Sequence, residues 1–290
     1  MKKKIRIIIN PISGTGRQKK AEEAIGKYLD TSLFDSEILY SQRKGDITLL
    51  SRQAVEKEYD AVVVIGGDGS INEAIQVLEG SKTALGVIPI GSGNALARHL
   101  KIPMSIADSV LRINQFKIKQ IDMAKINNYL FVNLAGIGFD AHVAYQFSQS
   151  KKRGLWNYIK ITVREFFRYS EKEYNLILDG KSLKTSAFMI VFANANQFGN
   201  NLLISPQGKI DDGLLDVCIV KKPKIYQIPA VFYLFLRKRI DRSKLVQIQQ
   251  VKNSHLELNQ SEQINLDGEA IQLNGQVNIS INPLSLSVIS

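Results

Sequence analysis

The stretch "VVVIGGDGSINEAI", Val62 to Ile75, decides the fold. It opens on four apolar residues with no polar alternation, the pattern of a strand covered on both faces, as in a parallel sheet. Gly66, Gly67, Asp68 and Gly69 then break the run. A helical pattern follows over Asn72–Leu78. A buried strand, a glycine turn and a helix in this order make half of a βαβ unit. In such sheets ligands sit beyond the carboxyl ends of the strands. A lone carboxylate among three glycines at that place poses a chemical question: it faces a cation, or it caps the helix.

The same pattern repeats on both sides. Ile5–Ile9 is a short apolar run that ends in "NPISGTG", with a polar helix over Arg17–Leu29. Glu37–Tyr40 reads as a strand and Asp46–Lys57 as a helix. Leu85–Ile88 is a further buried strand, followed by "PIGSGN" and a helix over Ala95–Leu100. This βαβα order predicts an α/β domain with a parallel sheet covered by helices. The pattern changes near Asp122. Strand-like runs then dominate, at Tyr129–Leu134, Tyr174–Asp179, Ala187–Ala193, Leu215–Val220 and between His255 and Ile281. Helical stretches fall at Asp140–Ser148, Leu155–Tyr169 and Ile225–Lys238. The expectation is an α/β nucleotide-binding domain over 1–122 and a mostly antiparallel, β-rich domain over 123–282.

Composition narrows the classes. With 290 residues and 44% apolar residues the chain can bury a sizeable core. No apolar run reaches the roughly 20 residues of a membrane-spanning helix, and the start "MKKKIRIIIN" reads as a first strand rather than a signal peptide. One cysteine, Cys218, and three histidines make a zinc site improbable. A reducing, cytoplasmic setting fits. The net charge of +11 attracts polyanions, whether nucleotides, nucleic acid or an anionic membrane surface, and charge alone does not choose between them. No nucleic-acid partner is expected.

"NPISGTG", "GGDGS" and "GSGN" all lie at strand carboxyl ends. Their small residues let backbone N–H groups approach an anion ahead of a helix. The G-x-x-x-x-G-K-[ST] phosphate loop is absent. "GIGFDA", Gly136 to Ala141, matches a dinucleotide fingerprint in letters, but its mid-chain context favours a turn that starts a helix.

Together, "VVVIGGDGSINEAIQVL" and "LGVIPIGSGNALARHL" resemble the catalytic domain shared by diacylglycerol kinases, sphingosine kinases and the soluble bacterial lipid kinases. "NLAGIGFDAHVA", "ISPQGKIDDGLLDV" and "INLDGEA" extend the likeness over nearly the whole chain. The resemblance implies a two-domain, NAD kinase/phosphofructokinase-like enzyme with a nucleotide cleft between its domains. It implies ATP and Mg²⁺ as cofactors, with Asn10, Ser13, Ser41, Gly66, Gly67, Asp68, Gly69, Ser70, Asn72 and Ser92 near the nucleotide. It also implies that the segment 283–290 returns to the first domain. Ser70 stands where many bacterial members have threonine. "GSGNALA" is closer to the sphingosine kinase form than to the GTGND of many bacterial diacylglycerol kinases, which leaves the acceptor lipid open.

Phosphoryl transfer needs a positioned γ-phosphate, neutralised charge and a deprotonated acceptor. Asp68 is placed to order Mg²⁺ or its waters. It would also serve as N-cap to a helix that begins near Ser70. Asn94 has the same choice between ligand contact and loop bracing, and Glu73 suits a helix dipole without any ligand. In "NLDGE", Asp267 and Glu269 share one face if the segment is extended, and a paired carboxylate makes a base suited to a hydroxyl; "DG" is also a common β-turn. The resemblance assigns Glu269 as general base and Asp267 as its partner. "GKIDDGLLDV" reads first as a turn, in which Asp212 and Asp216 are candidates to hold a hard cation. The resemblance places a structural magnesium there, on the Asp212 carboxylate and backbone oxygens near Lys209 and Leu214. Asp140 is a candidate contact for the lipid's hydroxyl or amine, or an N-cap.

A membrane lipid acceptor implies peripheral association with the membrane surface. "KKRGLWNYIKITVREFFRY" and "IPAVFYLFLRKRI" both join apolar and basic residues, and Trp156 is the leading candidate for interfacial insertion. Core-facing helices with solvated polar sides account for both segments equally. Exposed sheet edges in the second domain would permit a homodimer. The leading reading is an ATP-dependent lipid kinase acting on diacylglycerol or a related lipid. Alternatives are a sphingoid-base kinase, an NAD kinase-like phosphotransferase, and a non-enzymatic module that binds nucleotide or anionic lipid.

Overall fold

The computed structural model describes residues 1–13, 17–150 and 155–290. The glycines of "NPISGTG" and the start of "KKRGLW" lie outside the described residues. Two compact units divide the chain: Met1–Met123 with Pro283–Ser290, and Ala124–Asn282. Among the described residues no helix is long and apolar enough to cross a membrane.

The first unit runs β1 (Lys3–Ile9), α1 (Gln18–Tyr28), β2 (Phe34–Tyr40), α2 (Asp46–Glu56), β3 (Ala61–Gly66), α3 (Asp68–Leu78), β4 (Ala84–Pro89), α4 (Ala95–His99) and α5 (Ile106–Gln115), then enters β5 (Ile118–Ile126). The strands lie in the order β2-β1-β3-β4, all parallel, and Val288 of the chain's last strand pairs in parallel with Leu85. Every residue of β3 and β4 is buried, which is why neither alternates. Ile5, Ile7, Ile9, Val63, Ile65 and Ile88 join Ala21 and Ile25 of α1 and Val110 and Ile113 of α5 in one core. Arg6, 2% exposed, is held by Glu37 of β2 at 2.9 and 2.7 Å and by the Leu50 carbonyl at 2.8 Å. Its guanidinium keeps the Glu37 carboxyl below the usual carboxylate range.

Register is what positions the loops. Ile9 stands opposite both Tyr40 and Ile65, and Gly66 opposite Pro89. The strands therefore finish level, and Asn10, Ser41, Gly67 and Ile90 leave from one edge of the sheet.

The second unit contains β6 (Tyr129–Phe131), β7 (Leu134–Gly138), α6 (Phe139–Ser148), α7 (Leu155–Arg168), β8 (Lys172–Leu178), β9 (Lys181–Ala187), β10 (Met189–Ala193), β11 (Leu215–Val220), α8 (Ile228–Leu236), β12 (Val246–Val251), β13 (Asn253–Leu266) and β14 (Glu269–Ile289), whose end reaches the first unit. The order β12-β11-β10-β7-β13-β14 is antiparallel throughout, with the β8–β9 hairpin paired to β13. Alternating residues of these strands build the core, among them Ile137, Leu176, Ile190, Val217, Leu256 and Val277. An aromatic cluster joins α6 to α7: the Phe139 ring stacks on Phe188 at 4.3 Å and meets Tyr169 and Phe166 edge-on.

The fold class is the expected one: a parallel α/β unit and an antiparallel β-rich unit. Several elements differ in extent. The helix expected over Asn72–Leu78 begins at Asp68, because the Ile71 amide already bonds the Gly67 carbonyl at 3.1 Å. The run Tyr129–Leu134 breaks at Val132 and Asn133, whose amides bond a side chain instead of a strand. The helix expected over Ile225–Lys238 is a short 3₁₀ turn followed by α8. Helix α5 and the start of β5 are not among the expected elements. "GIGFDA" ends β7 and opens α6, and β7 pairs antiparallel with both of its neighbours, so it is not part of a dinucleotide-binding βαβ unit.

Candidate active site

Three loops meet at the level edge of the parallel sheet. Asn10, directly after β1, donates from Nδ2 to the Ser70 hydroxyl in the first turn of α3 at 2.9 Å, and its Oδ1 accepts from the Ile12 amide at 3.1 Å. The loops after β3 and β4 touch through bare backbone. A Cβ on Gly91 would lie 2.6 Å from the Gly67 Cα, and one on Gly67 would lie 3.2 Å from the Gly91 Cα and 3.5 Å from the Ser13 Oγ. Only glycine permits this approach. Ser41, buried, donates its amide to the Ile9 carbonyl at 3.0 Å on the far side of β1. Ser92 is exposed. The structure thus brings Asn10, Ser13, Gly66, Gly67, Asp68, Gly69 and Ser70 to one edge.

Asp68 is not the N-cap of its own helix. Gly67 occupies that position and Asp68 is the first helical residue. Its carboxylate reaches across to the loop after β4, where Oδ2 accepts from the Asn94 amide at 2.8 Å and Oδ1 from the Ala95 amide at 2.7 Å. Asp68 therefore ties "GGDG" to "GSGN" and satisfies two amides at the start of α4. Asn94 takes the left-handed conformation, φ 51°, and braces its own loop by donating Nδ2 to the Gly91 carbonyl at 2.8 Å. Its Oδ1 is buried and has no hydrogen-bond partner. Such an orphan acceptor is costly unless a donor arrives, so the bracing role leaves this oxygen able to accept from a ligand. Because α3 begins at Asp68, Glu73 lies past the first turn where the helix dipole acts, and it instead braces α2 by accepting from the Gly45 amide at 3.0 Å. The Asn72 oxygens take the Gln76 side chain one turn on.

In the second unit, Asp267 and Gly268 form the turn between β13 and β14 with φ of 49° and 94°. Two positive φ values in a two-residue loop mark the tight hairpin turn that "DG" favours. The segment is not extended, so Asp267 and Glu269 do not share a strand face. Asp267 is buried and its carboxylate accepts from the amides of Val132 (3.0 Å), Asn133 (2.9 Å) and Leu134 (2.9 Å). It locks the hairpin onto the break before β7. Glu269, half-buried, is the next residue after that locked turn.

Asp140 is the second residue of α6, whose N-cap is Gly138, so the N-cap reading fails here too. Its carboxylate is buried over Gly136, where a Cβ would collide with it, and accepts from Asn265 Nδ2 at 2.9 Å. Burial pushes its carboxyl up to about 6, against the smaller opposing effect of the Asn265 bond. Burial, and then the Asp140 charge, raise the Tyr158 phenol. Sequence reasoning missed Asn265, which lies within the quoted "INLDGEA", and Tyr158, which shares no motif with Asp140.

In the loop before β11, the exposed Asp212 accepts from the Leu214 amide at 3.1 Å across Gly213, while Lys209 is exposed. Asp216 is buried and accepts from the Ser205 hydroxyl at 2.6 Å, so it braces the loop from inside rather than joining Asp212 at its surface. Among the described residues no three acidic, histidine or cysteine groups cluster for a metal. The donor set at Lys209, Asp212 and Leu214 is one carboxylate with backbone oxygens. Those are hard ligands of the kind magnesium takes along with water, so the residues fit the ion.

Comparison with known proteins identifies the family. Residues 4–126 match the family described as "Diacylglycerol kinase catalytic domain", and residues 133–290 match the "YegS C-terminal NAD kinase beta sandwich-like domain". A diacylglycerol kinase of Staphylococcus carnosus is 25% identical over 93% of this chain and 89% of its own length. One from Staphylococcus aureus (strain MRSA252) is 27% identical over 93% and 87%. In fold, the chain is similar to a crystal structure of a diacylglycerol kinase from Bacillus anthracis str. Sterne, with a TM-score of 0.77, 23% identity and coverage of 99% of this chain and 96% of that one. Two family matches that together span nearly the whole chain, over a parallel α/β unit and a β-rich second unit, show that this chain belongs to the diacylglycerol kinase family of lipid kinases.

Proposed function

We propose that this kinase transfers the γ-phosphate of ATP, with Mg²⁺, to a hydroxyl of diacylglycerol or a related lipid. The observation that carries the reading is the meeting of three loops at one sheet edge, through Asn10 with Ser70, Gly67 with Gly91, and Asp68 with Asn94 and Ala95. Backbone that comes this close leaves N–H groups, rather than side chains, to face a triphosphate.

The first unit binds the nucleotide. Asn10, Ser13, Ser41, Gly66, Gly67, Gly69, Ser70, Asn72, Ser92 and Asn94 line or brace its loops. Bound magnesium would supply positive charge that offsets the charge developing on the transferred phosphoryl group. Asp68 is the residue that would hold it or its waters, while keeping the two loops together. Glu269 accepts the proton of the acceptor hydroxyl as that oxygen bonds to the γ-phosphorus and the bond from that phosphorus to the bridging oxygen breaks, releasing ADP. Asp267 positions Glu269: by holding three amides it fixes the turn that Glu269 follows. Lys209, Asp212 and Leu214 would hold a second, structural magnesium away from the chemistry. Asp140 meets the lipid headgroup. A second reading, in which the acceptor is a sphingoid base, is favoured by that buried carboxylate, which suits an amine as well as a hydroxyl. ATP and a membrane acceptor put the enzyme at the cytoplasmic surface of a membrane.

The deciding experiment supplies ATP labelled in the γ-phosphate and a panel of diacylglycerol, monoacylglycerol, ceramide, sphingoid base and phosphatidylglycerol, with NAD as a lipid-free control. Mg²⁺-dependent label should enter the organic phase with one lipid class. Label in NAD alone, or in nothing, sinks the proposal.

A further inference from the structure

Helix α8 carries far more apolar surface than its packing uses. Its inner residues Val231 and Phe235 line a small apolar pocket with Met189, Ile204, Val220 and Val246. The opposite side presents Pro229, Phe232, Tyr233 and Leu236, spaced i, i+3, i+4 and i+7, which is one stripe of a helix. Phe232 is 61% exposed and Leu236 65% exposed, and Ile225 and Tyr226 in the preceding turn are more open still. No residue of the helix is buried. A contiguous stripe of this kind marks an interaction surface.

Charge indicates what covers it. Lys224 stands before the helix and Arg237, Lys238 and Arg239 stand after it, all exposed, and no acidic residue occurs between Lys221 and Ile240. A second copy of the chain docked here about a two-fold axis would set cations against cations with no carboxylate in the stripe to pair them. An anionic surface meets both features at once. The helix has nine residues, about 14 Å of length, and so is too short to enter a bilayer end-on. It suits lying in the plane of the interface, apolar side down and cations at headgroup level. Its mount is firm: the Lys222 amide donates to Glu171 at 2.6 Å and the Lys222 ammonium to the Tyr169 carbonyl at 2.5 Å. Arg237 Nε donates to the Tyr233 hydroxyl at 3.1 Å, which joins the basic end to the apolar stripe.

We propose that the outer face of α8 docks this enzyme on an anionic lipid bilayer, with Phe232, Tyr233 and Leu236 in the acyl boundary and Lys224, Arg237, Lys238 and Arg239 on the headgroup phosphates. The inference deepens the lipid-kinase reading, on which its purpose rests, by naming the element that brings the chain to its substrate.

The test uses the full chain and sedimentation with vesicles of phosphatidylcholine, with or without about 30 mol% phosphatidylglycerol. The parent should bind the anionic vesicles preferentially. The double variant Phe232→Ser/Leu236→Ser should bind them at least about tenfold more weakly. The triple variant Arg237→Glu/Lys238→Glu/Arg239→Glu should lose the preference for phosphatidylglycerol, again by about tenfold or more. Circular dichroism should match the parent in both cases, since the changed side chains are exposed. Anionic-vesicle binding by both variants equal to the parent's overturns the proposal. So does a change of molar mass by light scattering in the apolar variant with vesicle binding unchanged, because the face would then join copies of the chain. Turnover of a dispersed short-chain diacylglycerol keeps docking separate from chemistry and should be the same in parent and variants. If no lipid is phosphorylated while vesicle binding still depends on α8, the kinase reading fails and the docking surface stands.

Discussion

Asp140→Asn should stabilise the protein at neutral pH while damaging its use of lipid. The Asp140 carboxyl rises from 3.8 to about 6 in the folded chain, chiefly because burial disfavours its charge. The folded state therefore holds this proton more tightly than the unfolded state does, and stability falls as pH rises through the window from about 4 to about 6. Below it both states are protonated and the carboxyl costs nothing. Above it the full cost applies, about 3 kcal/mol. Asparagine keeps an acceptor for Asn265 Nδ2 and carries no charge at any pH. The stability of the variant minus that of the parent should then be near zero at about pH 4 and reach about 3 kcal/mol by about pH 8. Urea unfolding of both proteins at several pH values measures this, and the subtraction removes every other titrating group. In the same variant KM for the lipid should rise about tenfold or more while KM for ATP stays put. A stability difference that does not change between pH 4 and 8 would refute the desolvated carboxylate. An unchanged lipid KM would remove Asp140 from the acceptor site.

Other expectations follow from the same contacts. Glu269→Gln should lower the phosphoryl-transfer rate by about 10²–10⁴ and leave ATP affinity, read by calorimetry, within about twofold; unchanged turnover would dismiss Glu269 as the base. Asp267→Ala strips three backbone amides of their acceptor and should cost about 3 kcal/mol or more in urea unfolding, with a loss of kcat that exceeds any change in KM for ATP. Gly91→Ala puts a methyl 2.6 Å from the Gly67 Cα and should reduce kcat/KM for ATP by about a hundredfold, a readout that neutral behaviour would contradict.

How far the sequence reaches depends on how local the cause is. The buried strands were legible because β3 and β4, covered on both faces, contain apolar residues without alternation. The change to antiparallel structure was legible because strand-like runs such as β8, β10 and β11 dominate after Asp122 in place of the regular strand–helix alternation. The start of α3 was not, since Asp68 and Gly69 are poor helix formers that join the helix only when the carbonyl of the N-cap Gly67 takes the Ile71 amide. Nor was the geometry of "NLDGE": the carboxylate pairing read from an extended strand gives way to a turn whose aspartate is claimed by amides some 130 residues earlier. The partners of Asp140, Asn265 and Tyr158, are joined to it only by the tertiary fold.

Asp68 shows how structure and chemistry share one side chain. Each oxygen accepts a different amide of the facing loop, Asn94 on one and Ala95 on the other. Asparagine would offer one acceptor and turn a donor at the second amide, so bracing alone already calls for a carboxylate. Yet the same carboxylate stands at the loop edge proposed to meet a triphosphate, where its negative charge would repel the ligand across a short distance. A fixed anion beside a polyanion is tolerable when a divalent cation lies between them, and the cation then binds both. On the proposed reading, the charge that the loops need for their architecture would thus be a reason for the nucleotide to arrive with its metal.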